Sequence, residues 1–327
     1  MSCSLEVSVA LCTYNGERFI DEQLASIFSQ DPLPSELVVS DDASTDSTVR
    51  RVHQMIEERA PRSLRCTVIA GDVQLGVTAN FQRAVTACSG DLVVLSDQDD
   101  VWHPDRLRRA LREFECDPDL LFLNGDARLV DQDGVPLGHS LFDALRVRER
   151  ELGRIDEGDA FSVLLKRNLA TGAASAFRRS LVDRAVPFPA EWVHDEWLAI
   201  MAAAIGRLAT DRSELIDYRQ HSKNEIGARR ATVLSLLSRL MEPSPGRYAA
   251  LARRSVILAD RLEALGVGAA LIDAARGKAR FESGRELLPE NRVLRIPRIV
   301  RGLMSGDYAR FASQGRVDTL RDLLHAR

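Results

Sequence analysis

LVVLSDQDDVW, at Leu92–Trp102, is the stretch that best defines the architecture of this chain. Residues 92–95 form a continuous apolar run, which is typical of a strand buried on both faces of a parallel sheet. Three carboxylates, Asp97, Asp99 and Asp100, follow at its carboxyl end. Burying them without a cation would be costly, and Mg²⁺ prefers a few carboxylate oxygens together with substrate phosphates. The stretch therefore predicts a metal–diphosphate site, with an acidic turn that caps the next helix as the alternative.

Strands and helices alternate through the first hundred residues. The strands are predicted at residues 6–12, 37–39, 64–70 and 92–95, and the first helix, with one apolar stripe, at about 19–28. This order predicts a doubly wound, Rossmann-like, mostly parallel α/β sheet. The second strand also ends in carboxylates, Asp41 and Asp42, and adjacent strands of one sheet would bring these to the crevice that holds Asp97 and Asp99. No glycine-rich dinucleotide motif follows the first strand, so a dinucleotide site is disfavoured.

The rest of the chain divides near Gly227. Before it we predict a hairpin around residues 131–134, a small-residue strand at 171–177, a helix at 191–205 and a strand at 215–220. After it, apolar residues recur at helical spacing, which predicts an α-helical C-terminal region at 228–327. Residues 1–227 are expected to form the α/β domain, with halves at 1–102 and 103–227.

Composition limits the class of protein. Hydrophobic residues make up 45% and charged residues 28% of the 327, which is ordinary for a soluble globular chain. A net charge of −4 gives no case for nucleic-acid binding. The five cysteines contain no C-x-x-C pair and are expected to be free in a reducing compartment. The start, MSCSLEVSVALC, lacks a basic n-region and is predicted to be a strand, and no stretch approaches the length of a membrane span.

Residues 291–327 are basic, since eight arginines and three aspartates give them a net charge of +5, against −9 for the rest. Arg292, Arg295, Arg298 and Arg301 alternate with apolar residues. Such a segment can lie on an anionic membrane surface, and a packed helix with a solvated basic face is the alternative. A homodimer formed through the helical region is a further alternative.

Seven motifs carry a family resemblance. In chain order they are VALCTYNGERFIDEQLASI, ELVVSDDASTDST, GVTANFQRAV, GDLVVLSDQDDVWHPDRL, TGAASAFRR, HDEW and YRQH. Together they resemble the inverting, metal-dependent family-2 glycosyltransferases of the GT-A fold, in particular the bacterial rhamnosyltransferase-like branch. The resemblance covers about residues 4–227. It implies a nucleotide-sugar-binding half at 1–102 and an acceptor-binding half at 103–227.

The resemblance also implies residues that bind a nucleoside-diphosphate sugar of the dTDP or UDP type. These are Thr13, Asn15, Gly16, Asp41, Asp42, Asn80 and Asp97. Asp42, or Asp41 beside it, would accept hydrogen bonds from the ribose or the base, with helix capping as the alternative. A divalent cation, Mn²⁺ or Mg²⁺, would be held by Asp97 and Asp99 of the Asp-x-Asp motif and by His221, and would stabilise the leaving diphosphate. For His221 a structural role is the equal alternative.

Asp195 is the implied general base. Displacement with inversion needs a carboxylate to take the proton of the acceptor hydroxyl. The alternative is that the HDEW carboxylates only cap their helix, and Glu196 is the second candidate. Weaker candidates for acceptor contacts are Gly172, Trp192, Glu196 and Trp197.

The implied activity is transfer of a sugar, with rhamnose favoured by the branch, to a glycan or lipid-linked acceptor in cell-surface polysaccharide synthesis such as that of O-antigen. The implied place is the cytoplasm, including the inner face of the plasma membrane. One rival is a sugar nucleotidyltransferase, which needs a basic, glycine-rich loop that CTYNGERF lacks. The other is a non-catalytic sugar-nucleotide-binding protein on the same fold, against which Asp99 and Asp195 count.

Overall fold

The computed structural model describes residues 5–221, 246–315 and 317–324. The chain forms two compact units, one of Met1–Ala160 with Leu169–Arg229 and one of Phe161–Asn168 with Arg230–Arg327. The grouping of residues 161–168 with the second unit has no counterpart in the sequence pattern. The predicted boundary between residues 227 and 228 lies outside the described residues.

A mixed β-sheet forms the centre of the first unit. Its strands, within the described part of the chain, are β1 (Val7–Thr13), β2 (Glu36–Asp41), β3 (Arg65–Ala70), β4 (Leu92–Ser96), β5 (Val101–Trp102), β6 (Leu120–Val130), β7 (Pro136–Ser140), β8 (Ser175–Arg178) and β9 (Arg207–Arg219). Their order is β3-β2-β1-β4-β8-β6-β9-β5, with β7 paired to β6. The strands β1 to β4 are mutually parallel, whereas β8 is antiparallel to both of its neighbours. The predicted GT-A-like, mostly parallel α/β sheet is confirmed.

Helices cover the sheet. In the first unit they are α1 (Ile20–Phe28), α2 (Thr48–Arg59), α3 (Val77–Ala87), α4 (Arg106–Cys116), α5 (Leu141–Leu145), α6 (Glu149–Asp156), α8 (Val182–Ala185) and α9 (His194–Ile205), and α7 (Ala160–Lys166) passes into the second unit. The predicted apolar stripe of α1 places Ile20, Leu24 and Ile27 in the main core, where all three are fully buried. Each such side chain contributes about 1.5–3 kcal/mol relative to exposure.

The predicted strand at 171–177 is partly wrong. A 3₁₀ turn occupies Gly172–Ala174, and β8 begins only at Ser175. The side chain of Asn124 causes the turn, because its oxygen accepts the N–H of Thr171 at 3.1 Å and its nitrogen donates to the carbonyl of Leu169 at 3.2 Å. This side chain therefore draws the chain out of the extended conformation just before β8.

The second unit is helical, as predicted. Besides most of α7 it contains α10 (Arg247–Ala264), α11 (Ala269–Glu286), α12 (Arg292–Met304), α13 (Asp307–Phe311) and α14 (Val317–Leu324). A buried polar network joins them: Arg285 donates to both oxygens of Asp322 at 2.8 Å, and the hydroxyls of Tyr248 and Tyr308 donate to the same carboxylate. None of the helices in the described ranges is long and apolar enough to cross a membrane.

Candidate functional site

The sheet topology gathers several chain segments at one edge. Because β1, β2 and β4 are parallel, their carboxyl ends lie at the same edge. The strand β6 is antiparallel to β8, which is antiparallel to β4, and β9 is parallel to β6, so β9 also ends at this edge. The expectation that the two acidic strands are adjacent is wrong, since β1 lies between β2 and β4. The loop after β1 therefore separates the two acidic segments.

Hydrogen bonds tie the loop after β1 to the loop after β2. Thr13 Oγ1 donates to Asp41 Oδ2 at 2.7 Å, and Asp41 also accepts the N–H and the hydroxyl of Ser44 at 2.8 and 2.6 Å. Asn15, with φ of 48°, accepts the N–H of Thr45 on its side-chain oxygen at 2.9 Å. Thr13, Asn15 and Asp41 thus fix the shape of this edge.

Gln98 ties the same loop to Asp97–Asp100, the segment called the acidic turn below. Its amide accepts the N–H of Tyr14 at 2.8 Å and donates to the carbonyl of Tyr14 at 2.9 Å. A Cβ on Gly16 would overlap the Gln98 side chain, so a larger residue there would displace the Gln98 amide. The ring of Tyr14 is 40% exposed. Sequence reasoning missed this residue, although an aromatic in the loop after the first strand was a signal for stacking on a base.

Asp42 and Asn80 are both buried, Asp42 just after β2 and Asn80 within α3. Asp42 accepts the N–H groups of Leu75 and Gly76 at 2.7 and 2.9 Å, so it fixes the residues that lead into α3. Asn80 accepts the hydroxyl of Ser40 at 2.7 Å and donates to the Ser40 carbonyl at 2.9 Å. Each Asp42 oxygen retains a lone pair for a further donor, whereas Asn80 is engaged in holding α3 against β2.

Asp99 and His221 meet at the edge of the sheet. His221 Nε2 lies 2.7 Å from Asp99 Oδ2, and the imidazole stacks on Phe19 with ring centroids 5.0 Å apart. Among residues 5–221, 246–315 and 317–324, no three His, Cys, Asp or Glu side chains converge as a ready-made metal site. A carboxylate and an imidazole nevertheless suit Mn²⁺ as two protein ligands, and a diphosphate and water can supply the rest.

The carboxylates of the acidic turn lie close together, and one of them is buried. Asp100 is buried and accepts the N–H of Arg219 at 3.0 Å on one oxygen, while its other oxygen has no hydrogen-bond partner in the described structure. Burial, together with the charges of Asp99 and Asp97, raises the pKa of Asp100 well above its usual value. Burial lowers the pKa of the nearby Arg106 to about 9. This excess of carboxylates fits a segment that receives a cation.

Asp195 lies in the first turn of α9, with its carboxylate held by backbone N–H groups. Gly172 donates to Oδ2 at 2.9 Å and Glu196 donates to Oδ1 at 2.6 Å. Gly172 precedes β8, whose amino end lies at the same edge as the carboxyl end of its antiparallel neighbour β4. The 3₁₀ turn therefore brings the Asp195 carboxylate to the sheet edge that carries the acidic turn.

Tyr218 links the two acidic groups electrostatically. Burial raises the pKa of its phenol well above the usual value, and the charges of the acidic turn and of Asp195 raise it further. Charge interactions fall off with distance, so these carboxylates lie in the neighbourhood of the Tyr218 phenol. This agrees with the sheet edge that Asp195 and the acidic turn share.

The aromatic residues around Asp195 are mostly core. Trp197 is wholly buried and its indole N–H donates to the carbonyl of Ala185 at 2.8 Å, so its proposed contact with an acceptor is wrong. Trp192 is also buried and packs against Trp197 with centroids 5.5 Å apart. His194 stacks on Phe81 at 3.8 Å, and burial lowers its pKa to about 3. The imidazole of His194 is therefore neutral.

Two solved structures share this fold. One is Staphylococcus aureus TarS 1–349 in complex with UDP-GlcNAc, with a TM-score of 0.57 and 19% identity over 85% of this chain and 72% of that one. The other is the mannosyltransferase PcManGT from Pyrobaculum calidifontis in complex with GDP-Man and Mn²⁺, with a TM-score of 0.55 and 20% identity over 98% and 85% of the two chains. The architecture is that of the GT-A glycosyltransferases.

The family follows from the sequence comparison. The Glycosyl transferase family 2 model matches residues 8–185, more than half of the chain, so this protein belongs to that family. An uncharacterized glycosyltransferase of Nostoc sp. is 26% identical over 67% of this chain and 66% of its own length. The dTDP-rhamnosyl transferase RfbG of Shigella flexneri is 32% identical over 31% of this chain and 35% of its own. This chain covers slightly less than two thirds of the length of the first curated relatives that it matches. For an uncharacterized protein of Mycobacterium tuberculosis the covered share is 59%.

Proposed function

We propose that this protein is a metal-dependent, inverting glycosyltransferase that moves a sugar from a nucleoside-diphosphate donor to a glycan or lipid-linked acceptor. The observation that carries the proposal is that the backbone N–H of Gly172, just before β8, holds the Asp195 carboxylate at the sheet edge that also carries the acidic turn. A base and a diphosphate-binding group must flank one reacting carbon in a single displacement. Their common sheet edge allows this arrangement.

The donor half of the site is proposed around the acidic turn. Thr13, Asn15, Gly16, Asp41, Asp42, Asn80 and Asp97 remain the candidate donor-binding residues. Among these, Asp42 keeps acceptor capacity for the ribose or base. Asp97, Asp99 and His221 would hold the divalent cation, which supplies Lewis-acid stabilisation of the leaving diphosphate. The Mn²⁺ in the PcManGT complex and the UDP-GlcNAc in the TarS complex support this class of donor and cofactor.

Asp195 is proposed as the general base. Two backbone N–H groups, from Gly172 and from Glu196, hold its carboxylate in a fixed position. An acceptor hydroxyl that donates to this carboxylate loses its proton to Asp195 as its oxygen attacks the anomeric carbon. Attack from the face opposite the diphosphate inverts the configuration at that carbon.

The sugar and the pathway are proposed more narrowly from the relatives. The dTDP-rhamnosyl transferase RfbG and a putative teichuronic acid biosynthesis glycosyltransferase, TuaG of Bacillus subtilis, match about a third of this chain or slightly more. RfbG supports rhamnose as the sugar, and TuaG supports cell-surface polysaccharide synthesis as the process. A lipid-linked acceptor would place the enzyme in the cytoplasm, at the inner face of the plasma membrane.

A thermal-shift panel tests the donor class. The protein is heated with UDP-GlcNAc, GDP-mannose or dTDP-rhamnose, each with and without Mn²⁺ or Mg²⁺. A ligand at 100 times its Kd stabilises the folded state by about 2.7 kcal/mol, so a true donor should raise the Tm only when metal is present. Asp99→Asn should abolish the metal-dependent shift, and Asp183→Asn, which changes an exposed carboxylate on α8, should not. If none of the nucleotide sugars gives a metal-dependent rise in Tm, the proposal is refuted.

A further inference from the structure

One helix of the second unit exposes its apolar side chains. Of the residues of α12, only Arg295 and Ile299 are buried. The exposed apolar residues are Val293, Leu294, Ile296, Val300, Leu303 and Met304, which are between 41% and 85% exposed. Residues 293, 296, 300 and 304 follow the i, i+3, i+7, i+11 spacing and so share one face of the helix. This face is called the apolar stripe below.

Arg295 holds the stripe outward. Its guanidinium donates to the carbonyls of Pro289 at 2.6 Å, Glu290 at 3.0 Å and Asp322 at 2.9 Å, and the side chain is buried. At roughly 100° per residue, Arg295 points about 160° away from Val293. Of the four arginines that alternate with apolar residues in this segment, Arg295 is therefore not part of a solvated basic face. Because its three bonds fix the rotation of α12, the opposite, apolar side faces solvent.

Exposed arginines border the stripe. By the same helical geometry Arg292 lies roughly 100° to one side of Val293 and Arg301 roughly 80° to the other. Arg298 is also exposed, farther toward the polar side. The thirteen residues of the helix, RVLRIPRIVRGLM, contain four arginines and no carboxylate. Cationic side chains on both borders of an apolar face are typical of helices that lie in the plane of a membrane interface.

We propose that α12 docks this protein on an anionic lipid bilayer, with the apolar stripe in the interfacial region and Arg292 and Arg301 on lipid phosphates. A second copy of the helix is a poorer occupant, since self-pairing would bring only cations to both borders. An anionic bilayer supplies the opposite charge on both sides of the stripe. The biological purpose rests on the proposed lipid-linked acceptor, whereas the geometry of α12 is independent of it.

Vesicle co-sedimentation of the full chain tests the proposal. The probes are phosphatidylcholine vesicles and vesicles with equal parts phosphatidylcholine and phosphatidylglycerol, at low and high salt. Wild type should bind the anionic vesicles, and more weakly at high salt. Val300→Glu should lower the binding at least tenfold. Its matched control is Val256→Glu on α10, because Val256 is 47% and Val300 44% exposed, and it should bind as wild type does. Arg292→Gln and Arg301→Gln should each weaken binding about fivefold.

Several results would overturn the proposal. These are failure of wild type to bind anionic vesicles at low salt, equal loss in both valine variants, or a wild-type dimer that Val300→Glu dissociates. A fall in Tm for Val300→Glu but not for Val256→Glu would show that the stripe packs against the chain itself. The nucleotide-sugar thermal-shift panel, run on Val300→Glu, separates this inference from the proposed function. If this variant keeps its donor-dependent Tm shift but no longer binds vesicles, both are supported. Vesicle binding without any donor shift removes the function and leaves the docking surface standing.

Discussion

Asp195→Asn removes the proposed base while keeping its shape. In the wild-type protein each oxygen of this carboxylate accepts a backbone N–H, from Gly172 at 2.9 Å and from Glu196 at 2.6 Å. An asparagine has one acceptor oxygen and one donor nitrogen, so one of the two N–H groups must then face another donor. The substitution therefore has a structural effect and a chemical effect, which can be separated.

The two effects differ in size. An unsatisfied, partly buried N–H costs about 1–3 kcal/mol of stability. Loss of a general base lowers the rate by roughly 10²–10⁴-fold, which corresponds to about 2.7–5.4 kcal/mol of activation free energy. We expect kcat to fall by two to four orders of magnitude, with the metal-dependent donor shift retained because the acidic turn is unchanged.

The assay measures release of nucleoside diphosphate from the donor that the thermal panel selects, with urea denaturation in parallel. Glu196→Gln is the matched control, since it neutralises the next carboxylate of the same helical turn and leaves its backbone N–H in place. Wild-type kcat in Asp195→Asn would refute the assignment. A kcat loss in Glu196→Gln as large as that in Asp195→Asn would transfer the role to Glu196.

Three further predictions concern stability. A Cβ on Gly172 would lie 2.8 Å from Nε2 of the buried His194, so Gly172→Ala should cost about 1–3 kcal/mol in urea denaturation, and an unchanged midpoint would contradict the close packing. Burial alone would raise the pKa of Asp217, but a hydrogen bond from His103 and a neighbouring guanidinium lower it to about 2. Its contribution is therefore present above about pH 4 and lost as the pH falls towards 2, and Asp217→Asn should destabilise the protein at pH 7 but little at pH 2. Asp322→Asn removes the nearest of three carboxylates around the buried guanidinium of Arg285 and leaves Glu282 and Asp318 in place, so it should cost about 1.5–3 kcal/mol, measured as a lower Tm, whereas an unchanged Tm would show that the network is dispensable.

The local sequence pattern was sufficient to predict the elements whose burial is recorded within one segment. The continuous apolar run of β4 and the stripe of α1 are set by side chains within a single segment, so strand and helix followed from the sequence. The acidic turn after β4 was also visible, because its carboxylates are consecutive in the chain. Such features need no knowledge of what lies across the sheet.

Long-range contacts decided the rest. The position of β1 between β2 and β4 depends on which strands pair, and no local period records that choice. The turn at Gly172 depends on Asn124, which is almost fifty residues away. Arg295 looked like another member of a basic row, but the carbonyl oxygens of Pro289 and Glu290, and that of the more distant Asp322, draw it inward. Carbonyl partners leave no trace in the sequence, since every residue has one.

The glutamine between the two aspartates of the acidic turn has a consequence for engineering. Written as Asp-x-Asp, the motif suggests that its middle residue is free to vary. Here, however, the Gln98 amide both accepts from the N–H of Tyr14 and donates to its carbonyl. The loop after β1 and the acidic turn are thus mechanically joined. An attempt to change which nucleotide the proposed site accepts must redesign the two loops as one part.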